Sequence, residues 1–234
     1  MKKYYYDLHI HSALSPCGDN DATPASIVGF GKLNGLDIMA LTDHNTTKNC
    51  PAFFEAAEFY GVTAIAGMEL TTAEEIHLVC LFPSLEKATQ FDDFLEDKRM
   101  AVPNRPDIFG EQIILDAEDN MIGKVPNLLT LATALSLDEA YLAVKSFDGV
   151  CYPAHIDRNS YGIISVLGAF PPAPKFTVAE LHDMSLIDTV DCPLPKEKII
   201  TGSDAHRLED ISEAKWYLEL EGEDIVAALF EFLR

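Results

Sequence analysis

The sequence predicts an α/β fold closed into a barrel, on three observations. Short apolar runs alternate with helix-like segments along most of the chain, the pattern of βαβ units around a parallel sheet. Histidine and carboxylate recur together at the ends of those runs, and a closed barrel gathers its strand ends on one face. The 234 residues carry 48% hydrophobic content, enough for one sizeable core at a length an α/β barrel commonly fills as a single domain. Residues 1–234 are therefore expected to form one domain.

Tyr4 to Leu8 reads as the first strand, and it ends in His9 and His11. Positions i and i+2 of an extended segment point to the same side, so both imidazoles can reach one ion. A loop from Ser15 to Asp21 follows. Thr23-Pro24 then opens a helix, with Thr as N-cap and Pro at the first helical position. Ile27, Val28, Phe30 and Leu33 supply its apolar positions and Asn34-Gly35 ends it. Leu36 to Leu41 is a strand running into Thr42-Asp43-His44, and Pro51 to Tyr60 a helix stopped by Gly61. Val62 to Met68 is a strand ending at Glu69, and Ile76 to Phe82 another with His77 near its beginning. Leu85 to about Met100 keeps the helical period behind a Ser84 cap, with Lys87 where a full capping box would need Glu or Gln.

Residues 101–127 break the pattern. Pro103, Pro106 and Pro126 bracket Glu111-Gln112-Ile113-Ile114, which reads as an insertion or a lid-like excursion on the substrate side. Asn127 to Ala134 is expected to be a helix, and Ser136-Leu137-Asp138-Glu139 is a capping box for another reaching about Phe147. Val150 to Tyr152 is a strand closed by Pro153-Ala154-His155. Pro171 to Pro174 marks a loop. Val178 to Leu181 and Lys198 to Thr201 are later strands, the second ending at Ser203-Asp204-Ala205-His206. Tyr217 to Leu220 reads as a strand and Asp224 to Phe232 as a closing amphipathic helix. Roughly seven strands result.

Composition narrows the function. The chain holds 38 acidic and 17 basic residues, a net charge of −21. Such a field repels nucleic acid and anionic membrane unless a local positive site overrides it. The expected substrate is a small ester, with no extended nucleic acid and no membrane as partner. The start Met1-Lys2-Lys3-Tyr4 lacks a signal-like apolar stretch and no run approaches membrane-spanning length, so a cytoplasmic location is expected. Five cysteines, without a CxxC pair, fit reduced thiols. Cys80 and Cys151 fall within apolar runs and are expected in the core, while Cys17 lies near the first histidine cluster. There is no GxGxxG and no GxxxxGK[ST], so nucleotide-binding Rossmann and P-loop readings lack their fingerprints.

Six of the seven histidines belong to the strand-end clusters. The ordered series HxH, TDH, GxE, H, PAH and SDAH, from His9 to His206, resembles the polymerase and histidinol phosphatase (PHP) family of metal-dependent phosphoesterases. The resemblance implies a distorted (β/α)7 TIM-like barrel carrying two or three divalent ions, manganese, zinc or iron. It implies one ion held by His9, His11, Glu69 and Asp204, and a second held by Glu69 as a bridge with His77 and His155. A third would involve His44 and His206 with an acid from the first loop, for which Asp19 is the choice and Asp21 and Cys17 are rivals.

The chemistry suits such a site. Bound divalent metals make hydroxide available near neutral pH and neutralise charge on attacking and leaving oxygens. Neutral imidazole with carboxylate accepts zinc, manganese or iron, and the lack of paired thiolates argues against a closed structural zinc site. Ligating histidines need acceptors for the second ring nitrogen, and Asp7 and Asp43 are candidates. Arg158, three residues after His155, can grip a phosphoryl group through two parallel hydrogen bonds. Arg158 and Asp43 are thus the candidate catalytic groups, Arg207 a further one, and His182 is assigned a structural role. Ser12 and Ser203 lack a general base, which excludes nucleophilic serine catalysis. The expected activity is hydrolysis of a small phosphate ester, histidinol-phosphatase-like or nucleotide-phosphatase-like. The alternatives are a non-catalytic metal-binding regulatory module and an oligonucleotide exonuclease. A hydrolase of C–N bonds would usually carry a bridging lysine where Glu69 stands.

Overall fold

A computed structural model describes residues 1–234. The chain opens with β1 (Lys2–Ile10), α1 (Pro24–Leu33), β2 (Ile38–Leu41), α2 (Cys50–Tyr60) and β3 (Thr63–Thr71). The Thr23 hydroxyl accepts the Ser26 amide to cap α1, and Gly61 ends α2 in the left-handed region at φ +65. β4 (His77–Phe82) and α3 (Leu85–Leu95) follow. Then come α4 (Pro106–Phe109), β5 (Ile113–Leu115), β6 (Met121–Lys124) and α5 (Leu137–Ser146), whose Ser136/Glu139 capping box is present. β7 (Val150–Pro153), α6 (Ile163–Leu167), β8 (Ala179–Glu180), β9 (Ile199–Ile200), β10 (Tyr217–Leu220) and α7 (Ile225–Leu233) complete the chain.

The main sheet has the order β10-β1-β2-β3-β4-β7. β1, β2 and β3 are parallel, whereas β4 runs antiparallel to both β3 and β7. Residues 72–76, all that joins β3 to β4, are too few for a parallel crossover and force a hairpin. The expected all-parallel order is corrected here, with a consequence for the site. Thr71 pairs with His77, so the start of β4 lies at the same end as the finish of β3.

The sheet curls. Past β7, Ile156 N–H donates to the Glu180 carbonyl at 2.9 Å, and beyond β9 the Ala205 carbonyl accepts from His11 N–H at 2.9 Å. β8 and β9 pair only with each other, in parallel. The architecture is a mixed α/β half-barrel whose last wall is short.

Two apolar layers flank the sheet. Tyr4, Tyr6 and Leu8 of β1 join Ile38, Val79 and Tyr152 in the inner one, to which α7 adds Leu229, Phe230 and Leu233. Ile10 instead joins the outer layer, with Val28, Phe53 and Phe91 of the helices. The register of β1 on β2 shifts between Asp7 and Ile10, a bulge that re-aims the strand where His9 and His11 stand. Cys80 and Cys151 are buried opposite one another, and all five cysteines are free.

Two elements differ from expectation. Residues 127–134 are not helical, because tertiary partners take their hydrogen bonds. Gln112 Oε1 accepts Leu129 N–H, Asn45 Nδ2 donates to the Leu129 and Leu131 carbonyls, and Thr133 N–H donates to Thr71. α3 stops at Leu95, followed by a single 3-10 turn over Glu96–Lys98. The irregular 101–127 stretch holds α4 and the antiparallel β5–β6 hairpin. No helix is long and apolar enough to cross a membrane.

Candidate metal centre

Every histidine cluster named from the sequence arrives at one mouth of the curled sheet. His9 and His11 come from the end of β1, His44 from the loop after β2, Glu69 from β3 and His77 from the start of β4. His155 follows β7, and Asp204 and His206 follow β9. His77 belongs here only because β4 is reversed.

The largest group is His9, His11, Glu69 and Asp204, four residues whose ligand atoms lie within 4.8 Å of one another. His9 Nε2 is 3.3 Å from both Glu69 Oε1 and Asp204 Oδ1. His11 Nε2 is 3.1 Å from Asp204 Oδ1 and 3.2 Å from His9 Nε2. Behind these rings stand the groups that fix their tautomers. His9 Nδ1 lies 2.9 Å and 3.1 Å from the Glu180 carboxylate oxygens. A proton held there leaves Nε2 with a lone pair facing Glu69 and Asp204. His11 Nδ1 lies 2.9 Å from Ser15 Oγ, which in turn donates to Asp43 Oδ1 at 2.7 Å.

Asp43 thus stands one hydroxyl away from His11 and makes no bond to the His44 ring that it neighbours in sequence. It accepts from the Ser12 amide and hydroxyl as well. Asp7 likewise serves backbone rather than the His9 ring, accepting from the amides of Ser203 and Ser212. It ties the segment before Asp204 to β1.

A second group is His44, Glu69 and His77. His44 Nδ1 lies 3.0 Å from Glu69 Oε2, and His77 Nδ1 lies 2.6 Å from Glu69 Oε1. His155 Nε2 is 3.1 Å from the same Oε1. The Nδ1 atoms of His44 and His77 are buried at ion-pair distance from Glu69 but make no well-aligned hydrogen bond. Buried polar nitrogens are seldom left so. Rings crowded on a carboxylate with nitrogens so placed are what a cation-binding donor set needs, and imidazole with carboxylate suits a divalent transition metal.

His11, His44 and His206 make a third group. His206 Nδ1 sits 2.8 Å from the Asp204 carbonyl, which fixes a proton on Nδ1 and bares Nε2. Asp19 is not in this group. Its carboxylate is exposed and accepts the Asp21 amide, although its own N–H donates to the His206 carbonyl. The loop is pinned to the site by backbone, which turns the Asp19 side chain outward. Asp21 and Cys17 are exposed too, although the Cys17 thiol lies near enough to His44 to help raise its pKa.

Charge in the cluster is strongly coupled. Burial raises the carboxyl pKa of Glu69, but the positive fields of His77, His9 and His44 outweigh it and hold it well below the usual range. Burial disfavours the His44 imidazolium, yet Glu69 lifts its pKa to about 9. Burial and the positive charge of His11 push His206 down to about 3. Backbone strain collects here as well. His155 at φ +29 and Asp204 at φ +51 are left-handed without being glycine, a cost of about 1–3 kcal/mol each that surrounding contacts must hold.

Glu180 was missed from the sequence. It is 1% exposed, grips His9 Nδ1 and accepts the His155 amide at 3.1 Å. A lone acid inside the apolar run Val178-Ala179-Glu180-Leu181 was the available signal. Gly202 is packed beneath it: a Cβ there would fall 2.6 Å from His9 Cβ and 2.7 Å from Glu180 Oε2. Glu180→Gln is expected to weaken metal binding about ten- to a hundredfold with the circular dichroism unchanged. Metal titration by calorimetry measures this, and unchanged affinity would remove Glu180 from the site.

The mouth encloses a cavity of about 170 Å³, with His44, His77, His155 and His206 on its walls and Arg158 and Tyr161 at its rim. Arg158 Nη1 donates to Asp204 Oδ2, and its Nη2 lies 3.3 Å from His182 Nδ1. His182 therefore steadies Arg158 and is no member of the donor groups. Arg207 is exposed.

A family model described as the PHP domain matches residues 7–146. A 5'-3' exoribonuclease of Haemophilus influenzae is 32% identical over 102 residues, 40% of this chain and 36% of that protein. The fold is similar to the lesion-specific endonuclease PfuEndoQ from Pyrococcus furiosus, with TM-score 0.67 and 18% identity over 99% of this chain and 56% of that one. It is also similar to Endonuclease Q in complex with a 27-mer duplex substrate carrying an abasic lesion, with TM-score 0.60 and 19% identity. That match covers 88% of this chain and 50% of the other. The chain spans about a third to about half of the length of these relatives. The expectation of no extended nucleic-acid partner does not stand beside them, since each is named for, or bound to, nucleic acid.

Proposed function

The chain belongs to the PHP-domain family of metal-dependent hydrolases, and from that premise we propose that it hydrolyses phosphodiester bonds of nucleic acid, working from strand ends. The observation that carries this reading is the convergence of His44, His77, His155 and His206 with Glu69 and Asp204 on a cavity of only about 170 Å³, with His9 and His11 buried beside those two carboxylates. Ligand pockets commonly measure about 300–1,000 Å³, so this one takes a phosphoryl group with its adjoining sugar, presented by a free end. The relatives named for nucleic acid support the substrate class.

The −21 charge, which argued against such a substrate, is a property of the whole surface. Binding is decided at the mouth. Glu69 and Asp204 bring two negative charges there, and two or three divalent cations more than reverse them.

In this reading His9, His11, Glu69 and Asp204 hold one ion, Glu69 with His77 and His155 a second, and His44 with His206 a third. Manganese, zinc and iron all suit these donors. Residues 1–234 act as one domain, and the half-barrel is a distorted form of a (β/α)7 barrel. When bound, the ions would supply hydroxide near neutral pH and neutralise charge on the reacting oxygens. The protein's own groups orient. Glu180 holds the His9 proton on Nδ1, and Asp43 does the same for His11 through Ser15. His206, neutral at pH 7, offers a bare Nε2. Arg158 leaves Asp204 on one side free to reach a phosphate on the other.

Single-stranded oligonucleotides labelled at either end, incubated with manganese, test the proposal. Stepwise shortening from one end is expected. Turnover of small phosphate monoesters without cleavage of any oligonucleotide would overturn it, and no turnover at all would favour a regulatory metal-binding module. Arg158→Ala is expected to lower kcat/KM about ten- to a hundredfold, the worth of one or two hydrogen bonds to a charged group, with the metal content retained. Steady-state kinetics alongside metal analysis checks both.

A further inference from the structure

Tyr161 stands at the rim of the cavity in an arrangement that its neighbours do not explain by packing alone. Its ring lies against the His77 imidazole, with centroids 4.3 Å apart and planes at 16°. Its carbonyl accepts the His77 amide at 3.0 Å. The residue adopts φ +59, an uncommon conformation for a bulky side chain. Yet the side chain is not buried: Tyr161 is 42% exposed. One face of the ring covers a buried donor, while the residue as a whole stays exposed where it lines the mouth. A shield for His77 would need only that face.

Tyr161 is also the one aromatic residue other than histidine that lines this cavity. It shares a short loop with Arg158, in which the Arg158 N–H donates to the His155 carbonyl. A Cβ on Gly162 would fall 2.6 Å from the Arg158 carbonyl, so the loop folds tightly back on itself. Arg158 reaches Asp204 on one side of the mouth while Tyr161 lies over His77 on another. A phosphoryl group gripped by Arg158 therefore carries its attached nucleoside past the Tyr161 ring.

We propose that the outer face of Tyr161 is a stacking platform for the nucleobase next to the scissile phosphate. This rests on the nuclease reading and adds to it how the strand end is seated. Base–aromatic stacking is worth about 1–3 kcal/mol by substitution and is tolerant of sequence, because every base offers a π-face. The platform would thus select for a nucleotide over a plain phosphate ester without selecting which base it carries.

The test compares two single-stranded oligonucleotides, one with an intact terminal nucleotide and one abasic at that position. KM, and Kd by fluorescence anisotropy, are measured for the metal-loaded wild type, Tyr161→Phe and Tyr161→Leu. The wild type is expected to favour the intact end about tenfold, Tyr161→Phe to keep that preference, and Tyr161→Leu to reduce it to near unity. A preference retained in Tyr161→Leu, or an equal loss on both oligonucleotides, would overturn the platform and leave the nuclease reading standing. Absence of both binding and cleavage in the wild type would overturn the nuclease reading and the platform with it.

Discussion

Glu69→Gln is expected to lower turnover by at least about a thousandfold, or about 4 kcal/mol of transition-state stabilisation. One carboxylate serves five rings. Oε1 lies within 3.3 Å of His9 Nε2, 2.6 Å of His77 Nδ1 and 3.1 Å of His155 Nε2. Oε2 lies 3.4 Å from His11 Nε2 and 3.0 Å from His44 Nδ1. Glutamine keeps the shape but removes the charge, and its amide presents hydrogens to nitrogens that have lone pairs to offer. Metal per chain should fall together with activity while the circular dichroism stays as in the wild type. A variant with its full complement of metal and activity within tenfold of the wild type would refute the bridging role.

The second large effect is a reversal of pH dependence by metal. In the metal-free chain, burial strips hydration from the His11 imidazolium, but bonds to Asp204 and Glu69 and their charge overcome this and lift its pKa to about 9. His44 behaves alike. The unfolded value is about 6.5. A folded pKa above the unfolded one adds stability that is complete below about pH 6.5 and lost as pH rises through 9. His206 has the opposite sign, but its penalty appears only below about pH 6.5, outside this window. The metal-free chain should therefore melt at a lower temperature at pH 9 than at pH 6.5. Metal must displace those same protons, so its affinity rises over the same interval. At a hundredfold excess over Kd an ion adds about 2.7 kcal/mol, roughly 5–10 °C for a chain of this size. Thermal melts with manganese and with chelator at both pH values would show it. A metal-free chain equally stable at pH 9 would contradict the assigned charges.

That these histidines and acids gather at one mouth was legible because each ends or begins an apolar run. The helices around α1, α2 and α5 were legible through Thr23-Pro24, Gly61 and the Ser136/Glu139 box. What escaped depends on contacts distant in sequence. Residues 127–134 have helical spacing, yet Gln112, Asn45 and Thr71 draw their backbone groups away. The sense of β4 is set by a short connection rather than by strand composition. Glu180 meets His9 across 171 positions, so its apolar run marks a buried acid without pointing to the partner. Asp19 was chosen for its charge and its place in the loop, whereas backbone bonding turns the carboxylate outward. Net charge misled for a related reason: it sums over a surface, while a substrate meets one mouth.

The short wall formed by β8 and β9 is paired through only two residues of each strand. Most sheets close such a gap with a ladder of backbone hydrogen bonds, and here only isolated bonds cross to β1 and β7. His11 and Asp204, 193 positions apart, face each other across that gap. An ion held by both residues would link the first strand to the last wall, closing a loop of almost the whole chain. Such a link would form only in the folded chain, so it would stabilise the closure by mass action and leave the freedom of the unfolded chain untouched. Ions held there would then also tie the last wall of the half-barrel to its first strand, joining metal loading to the integrity of the fold.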